Sequence, residues 1–413
     1  MPRTITSSLV GNSLNLLLLN FIFLLFIIHL IFNLERVLYV NEIFSFLSIT
    51  LYLKHLPYFL RARNNTFLFL INFLIIYCFL QALAGLFLTS YLYGYYRTLV
   101  LFYSIFCFFL GTEFIKNYKQ LLFLKLLDVI ALPLALLLLC FKSTLIAPID
   151  TCALIPFLFR RYRHSFALMV IWFLLYIVLG VNLTIYVMFA FLLMGHFIFK
   201  HNYFAKLFSR PFFIISAIIA FYFSVCVAYF YFNSFYTLGF GHQGYKVMPS
   251  FINNNTTWRL MFWAYELVVQ LPSHLFFGIG FGTPIFDIHD PQTWFIHTNI
   301  LFNNTKSFPY ALGTHNFLID ILVRLGIIGL IPIIGIYLYI FKRIHSYRPT
   351  QLTKCCFFSF MFITAGALCN VVVITPLYAS IYWICMGMLY QSLRQDEKDE
   401  KNQSYVSHAN AAA

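Results

Sequence analysis

Charge is what this chain has least of. Only 10% of its 413 residues are Asp, Glu, Lys or Arg, and just 13 are acidic. Soluble domains carry about 25% charged residues, so a water-soluble globular protein is excluded. Ten-residue segments of alternating hydrophobicity are missing too, which excludes a barrel of the outer-membrane type. No CxxC occurs, and no His/Cys spacing of the metal-binding kind. The nine cysteines lie in or beside apolar runs, so neither a disulfide nor a metal site is expected. No internal repeat relates two halves of the chain.

What is present is hydrophobic: 62% of residues are apolar, and phenylalanine alone contributes 52. Apolar stretches of about 20 residues recur, each enough to carry a helix across about 30 Å of hydrocarbon. The pattern predicts an all-α polytopic membrane protein of about 12 transmembrane helices. Their expected spans are 11–34, 37–53, 66–90, 96–114, 120–141, 143–159, 165–180, 182–199, 211–232, 315–341, 355–374 and 376–393. The first stretch is too long for a cleavable signal peptide and has no small-residue cleavage site, so it reads as the first of these helices.

The net charge of +14 raises the question of nucleic acid, and the distribution answers it. Basic residues fill alternate loops: Lys54, Arg61 and Arg63; Lys116 and Lys119; Arg160, Arg161 and Arg163; Lys200, Lys206 and Arg210; Lys342, Arg343, Arg348 and Lys354. With Arg3, Arg394, Lys398 and Lys401, one side holds 19 of the 27 basic residues. The positive-inside rule makes that side cytoplasmic. Both termini then lie inside, and no nucleic-acid partner is implied. The chain divides into nine helices over 1–232, an external loop over 233–314, three helices over 315–394, and a polar tail from 395 expected to lack order.

A loop as long as 233–314 in a compact protein is usually functional. It carries Tyr236, His242, Lys246, Arg259, Glu266, His274, Asp287, His289, Asp290, His297 and Lys306, with His315 at its end. Thr256 or Thr257 can cap a helix ending before Pro272. Leu260, Ala264, Leu267, Val268 and Leu271 make its apolar stripe; Arg259, Trp263, Glu266 and Gln270 make the opposite face. Such a helix lies on the membrane surface or on the bundle. The glycine-rich segment Gly278–Gly282 follows. It lacks the strand–turn–helix setting of a dinucleotide site, and reads as a flexible re-entry turn.

Arg259 falls in the first turn of the loop helix, where a cation is mildly disfavoured. Free backbone N–H groups and a guanidinium together make an anion site; the alternative is an arginine touching lipid headgroups. His315, at the outer end of the tenth span, can accept a proton near neutral pH or simply anchor the helix at the interface. Asp320 and Arg324, four residues apart, share a helix face inside the span. A charge at that depth faces the bundle interior with a partner. Asp320 is the partner at hand, as a structural pair or with a role in orienting His315 or binding a pyrophosphate. Gly326 and Gly329 permit close helix packing.

The pattern His315-Asn316, nine residues, Gly326, two residues, Gly329 resembles the histidine motif of the bacterial O-antigen ligases. Arg259-Leu260-Met261-Phe262-Trp263, followed by Pro272 and the Gly-rich turn, resembles the arginine-bearing helix of the same family's periplasmic loop. The match covers about residues 255–330; elsewhere only the twelve-helix architecture agrees. The resemblance implies a bundle of the integral-membrane glycosyltransferase kind in the bacterial inner membrane, with a periplasmic active site. It implies transfer of a glycan from undecaprenyl pyrophosphate to lipid A-core, without a metal or other cofactor. Arg259 would bind the pyrophosphate, His315 would be the base, and Asn316 and Asp320 would support it. The related polymerases use a second lipid-linked repeat unit as acceptor. Ligases carry another arginine after a Leu-Thr near the end of an earlier helix; here Leu183-Thr184 is followed by Ile185-Tyr186-Val187. A second cation would have to come from Arg97, Lys246 or Arg324, or the chain belongs to a different branch. A twelve-helix transporter is the reading from another class, against which the missing repeat counts.

Overall fold

The computed structural model describes residues 16–28, 40–61, 65–88, 92–140, 148–162, 164–178, 183–235, 259, 262–283, 285, 316–347, 349–369 and 376–412. Among these no strand occurs. The helices are α1 (Leu16–Ile28), α2 (Val40–Arg61), α3 (Thr66–Leu88), α4 (Leu92–Tyr103), α5 (Cys107–Lys116), α6 (Leu122–Cys140), α7 (Pro148–Leu158), α8 (Ser165–Val178), α9 (Leu183–Lys200), α10 (Asn202–Phe208), α11 (Pro211–Phe235), α12 (262–274), α13 (Phe317–Ser346), α14 (Gln351–Cys369) and α15 (Pro376–Ala412). Four described helices are long and apolar enough to cross a bilayer: α3, α13, α14 and the run Gly94–Lys116 that joins α4 to α5. Several shorter apolar helices accompany them. The outward face of α3 presents Phe69, Phe73, Ile76 and Leu80, a surface suited to lipid rather than water.

The core forms where α15 lies against α5 and α14, with α7 and α9 packed on the other sides of α14. The α5–α15 crossing is close because both sides use glycine. A Cβ on Gly111 would stand 2.1 Å from the Ile384 carbonyl oxygen, and one on Gly387 would stand 2.0 Å from that of Phe108. Small residues let membrane helices approach in this way. Hydroxyls where α13, α14 and α15 meet satisfy one another: Tyr337 Oη lies 2.9 Å from Tyr382 Oη and 3.2 Å from Thr364 Oγ1.

The polar segment from 395 continues α15, which runs to Ala412. Its first residues dock on the bundle. Glu397 pairs with Arg343 (2.7 Å) and Lys401 (2.9 Å), Asp396 accepts the Thr350 N–H, and Gln395 donates to the Ile115 carbonyl. The polar composition there serves contacts with the bundle and an i,i+4 pair.

One sequence expectation needs correction: Gly278–Gly282 is not a flexible turn. At Gly326 the backbone of α13 leaves helical geometry (φ 65°, ψ −167°), and residues 275–280 fill the break. Ile279 N donates to the Val323 carbonyl (2.8 Å) and Gly280 N to that of Arg324 (3.1 Å). In return Ile327 N donates to Leu275 O (2.9 Å) and Ile328 N to Phe276 O (3.3 Å). Tyr77 Oη of α3 donates to Leu325 O (2.9 Å) and lies 3.1 Å from Phe277 O; Gln81 Nε2 donates to Phe277 O (3.0 Å). Gly282 N donates to Thr98 Oγ1 of α4 (2.9 Å). Gly326 lies ten residues beyond Asn316, or about 15 Å along the helix at 1.5 Å per residue. Non-helical backbone at such depth is tolerated only when protein groups satisfy its polar atoms, which these bonds do.

Candidate functional site

The loop helix α12 packs on α13 and α11. Phe262, Ala264, Tyr265, Leu267 and Leu271 are buried with Val225 of α11 and Ile319 and Val323 of α13. Ala264, Leu267 and Leu271 of the expected apolar stripe are thus inside. Glu266, expected on the exposed face, is fully buried as well. The helix is covered on more than one face there: Ala264, Tyr265, Glu266 and Leu267 are buried in succession, and a π turn over Glu266–Gln270 follows.

Glu266 meets Asp320 and Arg324 of α13, whose charges both act on it. All three side chains are completely buried. Burial pushes the Glu266 carboxyl well above its usual value; Arg324 opposes this and Asp320 adds to it. Neither Glu266 carboxylate oxygen has a hydrogen-bond partner among the described residues. A protonated Glu266 leaves one cation and one anion in the cluster, a balanced arrangement for buried charges. Arg324 Nη1 also donates to the Gly280 carbonyl (3.1 Å) and to that of Thr283. The guanidinium therefore ties the re-entrant segment to α13. Its complete burial argues against Arg324 as an open pyrophosphate contact.

Arg259 lies elsewhere. Its Nη1 donates to the Cys369 carbonyl, at the last residue of α14. Asn316 Nδ2 donates to the preceding carbonyl, Leu368 O (3.1 Å). The Asn316 side chain also caps α13, accepting from Leu318 N (3.0 Å) and Ile319 N (3.2 Å). The arginine motif and the entrance to the histidine-motif helix thus share consecutive carbonyls at one helix end. Partial burial lowers the Arg259 pKa from its ordinary value. His315 and Lys246 lie outside the described residues. Arg97 is on α4, beside the Thr98 that receives the end of the re-entrant segment.

An apolar groove adjoins this spot. It encloses about 440 Å³ between α11, α13 and α14, and Phe213, Tyr222, Leu322, Phe341 and Met361 are among its walls. Trp263, Asn316 and Leu368 also line it, and Arg259 donates to the carbonyl of Cys369, the residue after Leu368. No protein-family profile matches the chain, and no curated protein matches it.

The sequence pattern singles out Glu266 but not its burial, and it does not single out Tyr77, Gln81 or Thr98. Gln81, a polar residue inside an apolar span, was the available signal for the α3 contacts. Nothing in the local pattern forecasts the π turn.

Proposed function

We propose that this chain is an O-antigen ligase-like glycosyltransferase of the bacterial inner membrane. In this reading twelve helices cross the bilayer, both termini are cytoplasmic, and the site faces the periplasm. Arg259 binds the pyrophosphate of an undecaprenyl-linked donor, His315 takes the proton from the acceptor hydroxyl, and lipid A-core is the acceptor. The chemistry calls for no metal: a pyrophosphate leaves readily once a cation stabilises its developing charge, and the acceptor needs only a base within hydrogen-bond reach.

The observation that carries the reading is an apolar groove lined by Asn316 and Leu368, with Arg259 donating to the carbonyl of the next residue, Cys369. A polyprenyl chain needs an apolar lane that delivers its diphosphate to a cation near the histidine. The two ends of the bundle also differ in keeping with the orientation. Ion pairs of Asp128 with Arg160 and Arg161, and of Glu397 with Arg343, gather at the ends read as cytoplasmic. Arg259, Asn316 and the re-entrant segment belong to the other.

Arg259→Ala is expected to lower glycan transfer in membranes by about 10²–10³-fold, as loss of one charge-stabilising donor does. His315→Ala is expected to lower it by about 10²–10⁴-fold, the usual contribution of a positioned base. Transfer at the wild-type rate in either variant removes the assigned role. Leu322→Trp, which obstructs the groove, is expected to raise the donor KM roughly tenfold. The change should vanish with a short-chain donor analogue; an equal change with both donors would show that the groove does not hold the lipid.

The missing arginine after Leu183-Thr184 favours one second reading, a polymerase with the same donor and a lipid-linked repeat unit as acceptor. A lipopolysaccharide gel of a knockout separates the two. Loss of all attached O-chain marks a ligase; a single attached repeat marks a polymerase.

A further inference from the structure

A second cavity, of about 450 Å³, opens at the other end of the bundle between α8, α9 and α14. Two lysines, Lys200 and Lys354, and two histidines, His164 and His196, line it together with Ser165 and Gln351. Among the described residues none that lines it is acidic. The nearby carboxylate of Asp128 is held by Arg160 and Arg161 at 2.7 Å each, so it does not neutralise the lysines. The polar walls are positioned. Gln351 Nε2 donates to Ser165 Oγ (3.1 Å), joining the first residues of α14 and α8. His196 stacks on Phe166 with ring centroids 3.7 Å apart. Lys354 Nζ sits 6.0 Å above the Phe199 ring.

Four groups able to carry positive charge line one cavity with no acidic residue among its described walls, and they repel one another. An anion relieves that repulsion, and one with several acceptor oxygens can accept from two ammonium groups at once. The cavity also has an apolar exit. Its wall residue Ala167 is exposed and begins a lane at helical spacing along α8, continued by Ile171, Leu174, Leu175 and Val178, all exposed. Basic pockets between membrane helices take lipid headgroups by this combination of charge and adjoining apolar surface.

We propose that this cavity binds a phosphate ester, held by Lys200 and Lys354 and flanked by His164 and His196. The α8 lane points to a phospholipid headgroup as its source, with a soluble phosphate ester as the competing source. The site is independent of the glycosyl-transfer reading and lies at the opposite end of the bundle.

The test uses the full-length protein in neutral detergent, with native mass spectrometry reading bound phosphatidic acid, glycerol 3-phosphate and the uncharged lipid diacylglycerol in separate arms. One phosphatidic acid per chain is expected, with little diacylglycerol. Lys200→Gln/Lys354→Gln is expected to weaken binding by roughly tenfold to thirtyfold, at about 1 kcal/mol for each lysine near the charge. The control Lys206→Gln/Lys342→Gln removes two charges outside the cavity and should leave binding unchanged. Ala167→Trp keeps every charge while filling the cavity, and should also abolish binding, which guards against misreading a poorly folded lysine variant. Glycerol 3-phosphate binding as tightly as phosphatidic acid, with the same lysine dependence, supports the phosphate site and assigns it a soluble ligand. No bound phosphate ester in any arm, or equal losses in the two lysine pairs, overturns the proposal.

Discussion

Gly326→Ala is expected to expel the re-entrant segment and to destabilise the protein by about 2–6 kcal/mol, from backbone strain and overpacking together. At φ 65° and ψ −167° the residue occupies a region that is essentially open to glycine alone. Space is short as well: a Cβ there would stand 2.2 Å from the Phe276 carbonyl oxygen. The facing glycine is under the same constraint, since a Cβ on Gly278 (φ 73°) would stand 2.4 Å from the Arg324 carbonyl. Relaxing either clash means parting the two strands of backbone and breaking the four hydrogen bonds between 275–280 and 323–328. Thermal unfolding in detergent should show a lower midpoint, and amide hydrogen exchange over 275–283 should rise sharply. Under the proposed function, glycan transfer should fall in parallel, because Arg324 and α12 lose their shared anchor. A Gly326→Ala protein with wild-type exchange over that segment would mean the break in α13 is not held as described.

Arg324→Met is expected to cost about 3–5 kcal/mol, the usual penalty for removing one member of a buried charge cluster. The side chain is completely buried, so water cannot replace the guanidinium. Asp320 would be left without its cation, and the carbonyls of Gly280 and Thr283 without their donor. Adding Asp320→Asn should recover part of the loss, and the double-mutant cycle measures the coupling. Glu266 should behave differently. Its carboxyl titrates above the unfolded-state value because it is buried, so the folded protein binds its proton more tightly. Its contribution to stability is complete below the ordinary carboxylate pKa and is lost as pH rises through the raised folded value. Glu266→Gln should therefore change the unfolding midpoint little at acidic pH and flatten the decline above it. A Glu266→Gln protein with the wild-type pH slope would place the proton elsewhere.

Much of this organisation was written in the residues themselves. The long runs of Leu and Phe announced apolar helices. Asn316, next to an apolar run, announced a helix start, and it caps α13. Asp320 and Arg324, four residues apart, announced a buried polar pair, and both side chains are buried. Two other features were hidden for identifiable reasons. Glu266 is buried because α12 is covered on more than one face, with Ala264, Tyr265, Glu266 and Leu267 buried in succession, and a single apolar stripe does not foretell that. The role of Gly278–Gly282 depends on Tyr77, Gln81, Thr98 and Gly326, which are remote in sequence; a glycine-rich turn looks the same whether it hangs free or plugs a helix. The function rests on Arg259 and His315 through a family likeness. For Arg259 the structure adds a bond to the Cys369 carbonyl, next to Leu368 in the wall of the groove.

The interruption at Gly326 has an electrical consequence. It converts one long rod into two shorter ones, and each has its own pair of poles. The upper rod ends near mid-depth with its negative pole, formed by carbonyls such as Val323 O and Arg324 O, and Arg324 sits in that final turn. A cation is favoured at such an end by about 0.3–1 kcal/mol, and by more where water is excluded. An arginine that looks out of place in an unbroken membrane helix stands, in the divided one, where positive charge is welcome.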